Sequence, residues 1–341
     1  MTKIIFKEKK KLITAIKPTG ELTLGNYLGV IKPLILFQNK HYEEYDFYVF
    51  IADLHSLTNV QDPILLKQRI REIIYLLLAS GLDLEKTNLF IQSEINQHTY
   101  LHYIMESNSY LGELNRMIQF KEKKNSLKEV RTSLLTYPLL MASDILLYDA
   151  DVVLVGQDQK QHLELTRVLA NRFNNLYGDT FGLPEFLQLG SMIKSLTNPQ
   201  KKMSKSSFLN DYDDKGCVFL LENLDSIRKK IFKSVTDSEN NIKYDSEKKP
   251  GLSNLLTIYS SLKKCELKET VKYFQNFSYK MFKEEVATVV LEEIRIIQKN
   301  FYDLVKNIDL VKILKKSTQK VKNIAEKKLK EIKRKLGIDF N

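Results

Sequence analysis

Along the first half of the chain, short apolar blocks alternate with longer stretches in which apolar side chains recur every three to four positions. The blocks Lys11–Ile16, Phe47–Ala52, Asn88–Gln92 and Asp151–Val155 have the length and the β-branched or aromatic content of buried strands. Between them, Asp62–Leu82 opens on Asp-Pro, keeps helical spacing and closes on Gly81, which predicts a crossover helix. Strand, helix and strand in repetition predict an α/β fold built on a Rossmann-like parallel sheet. Pro33 falls inside the helical pattern after Asn26 and predicts a kink near Leu28–Ile31. From about Asn210 the strand pattern ends and helical spacing with interleaved Lys and Glu takes over. The expected organisation is a sheet domain over 1–207 followed by an all-helical C-terminal domain over 208–341.

A length of 341 residues suits about two domains. Hydrophobic residues at 43% and charged residues at 28% exclude a disordered chain. The net charge of +11 makes a polyanion, a nucleotide or a nucleic acid, the first class of partner to consider. Cys217 and Cys265 lie far apart without C-x-x-C spacing, so neither a zinc ribbon nor a disulfide framework is supported and a reduced cytoplasm is the expected setting. The longest apolar run, Ile73–Leu82, falls well short of the roughly 20 residues that span a bilayer, so no membrane association is expected. The basic start runs straight into a strand pattern without a signal-peptide core, which argues against secretion. The segment Val311–Lys335 carries ten Lys and one Arg against Glu326 and Glu331. Leu314, Val321, Ile324, Leu329 and Ile332 form an apolar stripe along it, and the lysines are either its solvated face or a surface for phosphate backbone.

Four segments carry chemistry. After the first strand, Lys17-Pro18-Thr19-Gly20 leads into Thr23-Leu24-Gly25-Asn26, a strand-loop-helix unit in which Gly25 admits close approach and the helix N-terminus offers donors to anionic oxygens. An N-capping Thr at a simple turn explains the same letters. Lys202-Met203-Ser204-Lys205-Ser206, between the two halves, concentrates flexible cations that suit a nucleoside triphosphate; an exposed basic linker is the alternative. The segment Leu134–Tyr148 is apolar around nearly its whole circumference and yet contains Asp144, which needs a donor if buried. Tyr137, Met141 and Asp144 share one helix face, an arrangement suited to a flat aromatic ligand with a single N–H or O–H. A structural Asp capping a neighbouring element would look the same. Further on, Val155–His162 ends a strand and starts a helix, where Gly156 permits close contact and Asp158 can accept from ribose hydroxyls or complement the helix dipole. His98 and His102 stand four apart without a third ligand or an intervening Glu of the H-E-x-x-H kind, and are expected to be two half-exposed histidines.

Together the early phosphate loop and the late K-M-S-K-S loop resemble the paired motifs of class I aminoacyl-tRNA synthetases, and Leu134–Tyr148 resembles the substrate helix of the bacterial tryptophanyl-tRNA synthetases. The similarity runs from about Leu12 to Ile338 and includes Ser234–Glu239 and Gly251–Leu256. It implies a tryptophan–tRNA ligase with ATP, L-tryptophan and tRNA(Trp) as partners, Mg²⁺ entering with ATP, no structural metal, and a cytoplasmic homodimer joined through about 100–137. It implies tryptophan contacts from Asp144, which accepts the indole N–H, with Tyr137 and Gln159 at the α-amino group and His55 and Met141 beside the indole. For ATP it implies Lys17, Pro18, Thr19, Gly25, Asn26, Gly156, Gln157, Asp158, Ile193 and the loop Lys202, Met203, Ser204, Lys205 and Ser206. Thr23, Asn26, Lys123, Lys202 and Lys205 are the residues it implicates in catalysis. The chain departs from the family at Ala15 and Lys17, where Gly and Gln are usual, and at Gln157 and Ser207, where Glu and Asp are common. The rivals are tyrosine activation at the same Asp, a smaller nucleotidyltransferase, and a silent tRNA-binding paralogue.

Overall fold

The computed structural model describes residues 8–126, 129–203 and 214–340. Five strands, β1 (Lys10–Ile16), β2 (Tyr45–Ile51), β3 (Thr87–Ile91), β4 (Val152–Leu154) and β5 (Glu185–Leu187), form one parallel sheet in the order β3-β2-β1-β4-β5. Leu12 of β1 lies opposite Phe47 of β2 and Val152 of β4. The chain builds outward from β1 through β2 and β3 and then returns to the other side of β1, so a crevice opens at the carboxyl ends of β1 and β4. Four strands stand where the apolar blocks place them. β5 was not expected: three residues, only partly buried, are too few to show a period-two pattern.

Because the sheet is covered on both sides, its strands read as continuous apolar runs whose alternate residues feed two cores. Leu12, Val49 and Leu89 join the core on one face, and Ile13, Tyr48 and Phe90 join the core on the other. The first core continues into the helix Pro63–Ala79 and the helical half, where Leu255, Val286 and Ile294 are fully buried. Helices Gln97–Ser107, Thr132–Leu146 and Lys160–Tyr177 cover the second face. The last helix, Leu310–Leu336, comes back to that same core through Val321, Ala325, Leu329 and Ile332. Its apolar stripe is thus a packing face, and Lys312, Lys315, Lys316, Lys320, Lys327 and Lys330 are exposed on it. Lys328 departs from a solvated face: it is buried, pairs with Asp149 at 2.8 Å and donates to the Thr180 carbonyl at 2.5 Å.

Pro33 distorts the first helix as expected. Its missing N–H and its ring are incompatible with an α-helical bond to the Gly29 carbonyl, and the chain widens into a π-helical turn over Tyr27–Ile31 before continuing as Lys32–His41. This helix is tied to the helical half: Lys32 Nζ meets Glu293 at 2.7 Å, and the Tyr27 hydroxyl donates to the same carboxylate. That contact brings Tyr279–Asn307 against the helix that follows the phosphate loop.

Candidate active site

The loop leaving β1 enters the first helix through a reciprocal cap. Thr23 Oγ1 accepts from the Asn26 backbone N–H at 3.2 Å, and Asn26 Oδ1 accepts from the Thr23 N–H at 3.1 Å. Thr23 is fully buried, so its hydroxyl serves the cap. The segment 217–220 lies antiparallel against this turn, with the Leu24 N–H bonded to the Val218 carbonyl at 2.8 Å. Asn26, Thr19 and Lys17 line a small cavity of about 190 Å³. Lys17 and Ala15 also line a larger cavity of about 280 Å³, so the two spaces meet at the carboxyl end of β1.

The larger cavity brings together His55, Tyr137, Met141, Asp144 and Gln159, with Ile13, Phe50 and Ile145 as apolar walls. Asp144 lies near the end of the apolar helix Thr132–Leu146 and is 2% exposed. Its Oδ2 accepts from His55 Nε2 at 2.7 Å, and its Oδ1 accepts from His98 Nδ1 at 2.6 Å and from Gln92 Nε2 at 2.7 Å. Burial by itself would raise this carboxyl, but the hydrogen bonds from His55 and His98 outweigh it and hold Asp144 well below the usual carboxylate range. The site therefore presents an ionised acceptor inside apolar walls. The half-exposed position expected for His98 is overturned: it is wholly buried, because two polar partners satisfy both ring nitrogens. His102, on the outer side of the same helix, is half-buried.

At the other end of the cavity the Tyr137 hydroxyl lies 3.0 Å from Gln119 Oε1 and 3.1 Å from His162 Nε2, and His162 Nδ1 lies 2.8 Å from Gln159 Oε1. Burial first, then the charges of Asp158 and Glu122, push the Tyr137 phenol far above its ordinary value, so it stays a donor. Lys17 Nζ donates to Thr58 Oγ1 at 3.1 Å, and that hydroxyl donates to the His55 carbonyl at 3.0 Å.

After β4, a Cβ at Gly156 would stand 2.6 Å from Asp158 Oδ1, so a side chain there would displace the Asp158 carboxylate. Asp158 faces Lys202 Nζ at 3.7 Å and accepts from Gln159 Nε2 at 3.0 Å, while the Gln119 amide bonds its backbone carbonyl at 2.8 Å. Burial raises this carboxyl, but the Lys202 charge and the Gln159 bond win and lower it. Gln157 is exposed beside it and Pro18 is buried behind the first loop. Ile193 is buried and its carbonyl accepts from the Met203 N–H at 2.9 Å, which with the pairing of Lys194 and Lys202 folds this stretch into a hairpin. Ser204, Lys205, Ser206 and the Lys123 side chain lie outside the described residues.

A family model described as tRNA synthetases class I (W and Y) matches residues 7–297. The chain belongs to that family. It is 45% identical over 331 residues to a tryptophan–tRNA ligase of Caldanaerobacter subterraneus subsp. tengcongensis, covering 96% of this chain and 98% of the relative. It is 43% identical to the tryptophan–tRNA ligase of Bacillus subtilis, covering 97% and 98%. Among solved structures, tryptophanyl-tRNA synthetase from Mycoplasma pneumoniae superposes with a TM-score of 0.89 at 36% identity, over 97% of this chain and 99% of that one. The Campylobacter jejuni enzyme, complexed with ADP and tryptophan, superposes with a TM-score of 0.78 at 28% identity, over 96% and 99%.

Several residues of this class I synthetase site have no advance signal in the sequence. Gln92, His98 and Tyr148 converge on Asp144 from three elements, at separations of 52, 46 and, through His98, 50 residues. Asn254, from the helical half, is buried and clamps the Lys194 backbone with bonds of 2.8 and 2.9 Å. His162 stands inside the Val155–His162 stretch that marks the helix start, and its position after Gln159 is the one cue available for it.

Proposed function

We propose that this chain activates L-tryptophan with ATP to tryptophanyl-adenylate and pyrophosphate, and then transfers the tryptophanyl group to tRNA(Trp). The observation that carries this reading is the buried Asp144 carboxyl, met by three side-chain donors at the end of an apolar cavity bordered by Met141, His55, Tyr137 and Gln159, in a chain of this family. An indole ring has one N–H and a flat apolar body, which matches one acceptor among apolar walls. With the ring at Asp144, the α-amino group falls to Tyr137 and Gln159, and the carboxylate points to the junction of the two cavities beside Lys17.

The substrate carboxylate is itself the nucleophile. One of its oxygens bonds the α-phosphorus, the bond from that phosphorus to the bridging oxygen breaks, and the electron pair leaves with pyrophosphate. The protein supplies in-line positioning and charge stabilisation from the Gly25–Asn26 helix start, Lys17, Lys123, Lys202 and Lys205, with Asp158 at the ribose and the Ile193 backbone at the adenine. Magnesium entering with ATP would supply further neutralisation of phosphate charge beside these lysines. Among the described residues no group of three or more His, Cys, Asp or Glu is placed to hold a metal ion.

Exposed Tyr103, Tyr110, Leu111 and Ile118, in the connective region about 100–137, support assembly of two copies across this surface. The exposed lysines of Leu310–Leu336 offer one face to tRNA phosphates. Among the described residues no helix is long and apolar enough to cross a membrane, and we place the reaction in the cytoplasm. The test is ATP/pyrophosphate exchange with each of the twenty amino acids: exchange with tryptophan alone is expected, and equal exchange with tyrosine overturns the reading.

A further inference from the structure

The cavity does not explain why Asp144 is held from behind by Gln92 and by His98, which is itself bonded to Tyr148. His98, Gln92 and Tyr148 are each at most 1% exposed and none lines the cavity. They cannot touch a substrate, so whatever they contribute passes through the carboxylate. A carboxylate offers about four acceptor sites on two oxygens. Oδ1 is taken by His98 and Gln92, and Oδ2 is taken once, by His55, which itself borders the cavity. One acceptor direction remains, on the oxygen shared with the only one of these partners that lines the cavity.

We propose that His98, pinned by Tyr148 and assisted by Gln92, is a positioning residue that locks Asp144 with one oxygen saturated and the other aimed at the cavity, and so sets selectivity for a side chain bearing a ring N–H. This rests on the reading of Asp144 as the indole acceptor. His98 Nδ1 meets a carboxylate oxygen, so that nitrogen carries the proton and donates. The opposite nitrogen, Nε2, lies 2.7 Å from the Tyr148 hydroxyl and accepts from it. The relay Tyr148 to His98 to Asp144 leaves a single tautomer compatible with all its bonds. The imidazole cannot turn away, since the rings of Tyr148, Phe50 and Phe90 lie with centroids 5.5, 5.9 and 6.1 Å from its own. In so apolar a setting a carboxylate without these donors would rotate to find others or take up a proton, and a protonated carboxyl no longer selects for a donor.

The experiment compares kcat/KM in pyrophosphate exchange for tryptophan and for 3-(benzothiophen-3-yl)-L-alanine, in which sulfur replaces the ring N–H. Wild type favours tryptophan. His98→Phe is expected to lose on the order of 10- to 100-fold with tryptophan, mainly through KM, while the sulfur analogue changes little and KM for ATP holds. His98→Asn, whose amide N–H can stand in for the Nδ1 donor, recovers most of the preference. Tyr148→Phe, a milder change at the end of the relay, loses several-fold and keeps the proposal testable if His98→Phe does not fold. Equal losses with both substrates across these variants, or an unaltered preference, overturn the inference. Asp144→Asn separates the two levels. If it abolishes the preference while the His98 and Tyr148 variants keep it, only the positioning role falls; if Asp144→Asn itself keeps the preference, the indole reading falls with it.

Discussion

Replacing Gly25 by Ala sets two physical effects of opposite sign against each other. Gly25 is helical, with no left-handed φ to protect, so helix propensity alone would make Ala more stable by about 1 kcal/mol. The structure argues the reverse. A Cβ at this position would stand 2.7 Å from the Met203 carbonyl oxygen and 3.2 Å from the Met203 Cβ. Ordinary contact begins near 3.4 Å, so the Met203 backbone would have to withdraw by about 0.7 Å. Withdrawal is opposed from three sides: Met203 is fully buried, its N–H is bonded to Ile193, and the neighbouring Lys194 backbone is clamped by Asn254. Overpacking of this kind costs about 1–3 kcal/mol, which exceeds the propensity gain. Met203 stands between Lys202 and Lys205 in the sequence, so the strain is delivered to the loop proposed to meet the departing pyrophosphate. Displacements approaching 1 Å at a reacting centre cost up to about a hundredfold in rate, and a fall of roughly 10- to 100-fold in adenylate formation is expected. Single-turnover quench of adenylate formation, with thermal unfolding of the same variant, decides it. A Gly25→Ala protein with a raised Tm and wild-type rate would show that the helix start and the lysine loop are not in contact during the reaction.

Three further outcomes can be checked independently. Asn254→Ala removes two partly buried bonds to the Lys194 backbone and should cost about 1–3 kcal/mol in denaturant unfolding and raise KM for ATP; an unchanged midpoint refutes the clamp. Glu113 is held below its ordinary value first by hydrogen bonds from Arg172, at 2.5 and 3.1 Å, against the opposing effect of burial. A depressed carboxyl contributes stability that is present above its unfolded value and is lost as pH falls through the folded value, so the deficit of Glu113→Gln in urea midpoint should be full at pH 7 and close below about pH 4; a deficit constant down to pH 3 refutes the pairing. Lys205→Ala should slow adenylate formation by on the order of a hundredfold and leave transfer from preformed adenylate to tRNA far less affected, because pyrophosphate is absent from that step; equal losses in both steps refute the leaving-group role.

The sequence by itself determined the elements and one face of the site. Apolar blocks of strand length and a capped amphipathic run located β1 to β4 and the crossover helix, because both signals are local and periodic. The helix spacing of Tyr137, Met141 and Asp144 put three cavity residues on one surface before any contact was known. Pro33 foretold a distortion from its own missing N–H and ring. What only the tertiary structure decided is which distant groups answer a local demand. That Asp144 needs donors follows from burial alone, but that they are Gln92, His98 and, behind His98, Tyr148 depends on β3, the Gln97–Ser107 helix and the end of the pocket helix meeting under the sheet. The same holds for Asn254 under the lysine loop, for Met203 against Gly25, and for Lys328, which a charge pattern assigns to solvent and packing places beside Asp149. The reason is one of range: periodicity and propensity act over a few residues, whereas satisfying a buried charge requires partners that the chain delivers only by closing loops of more than forty residues.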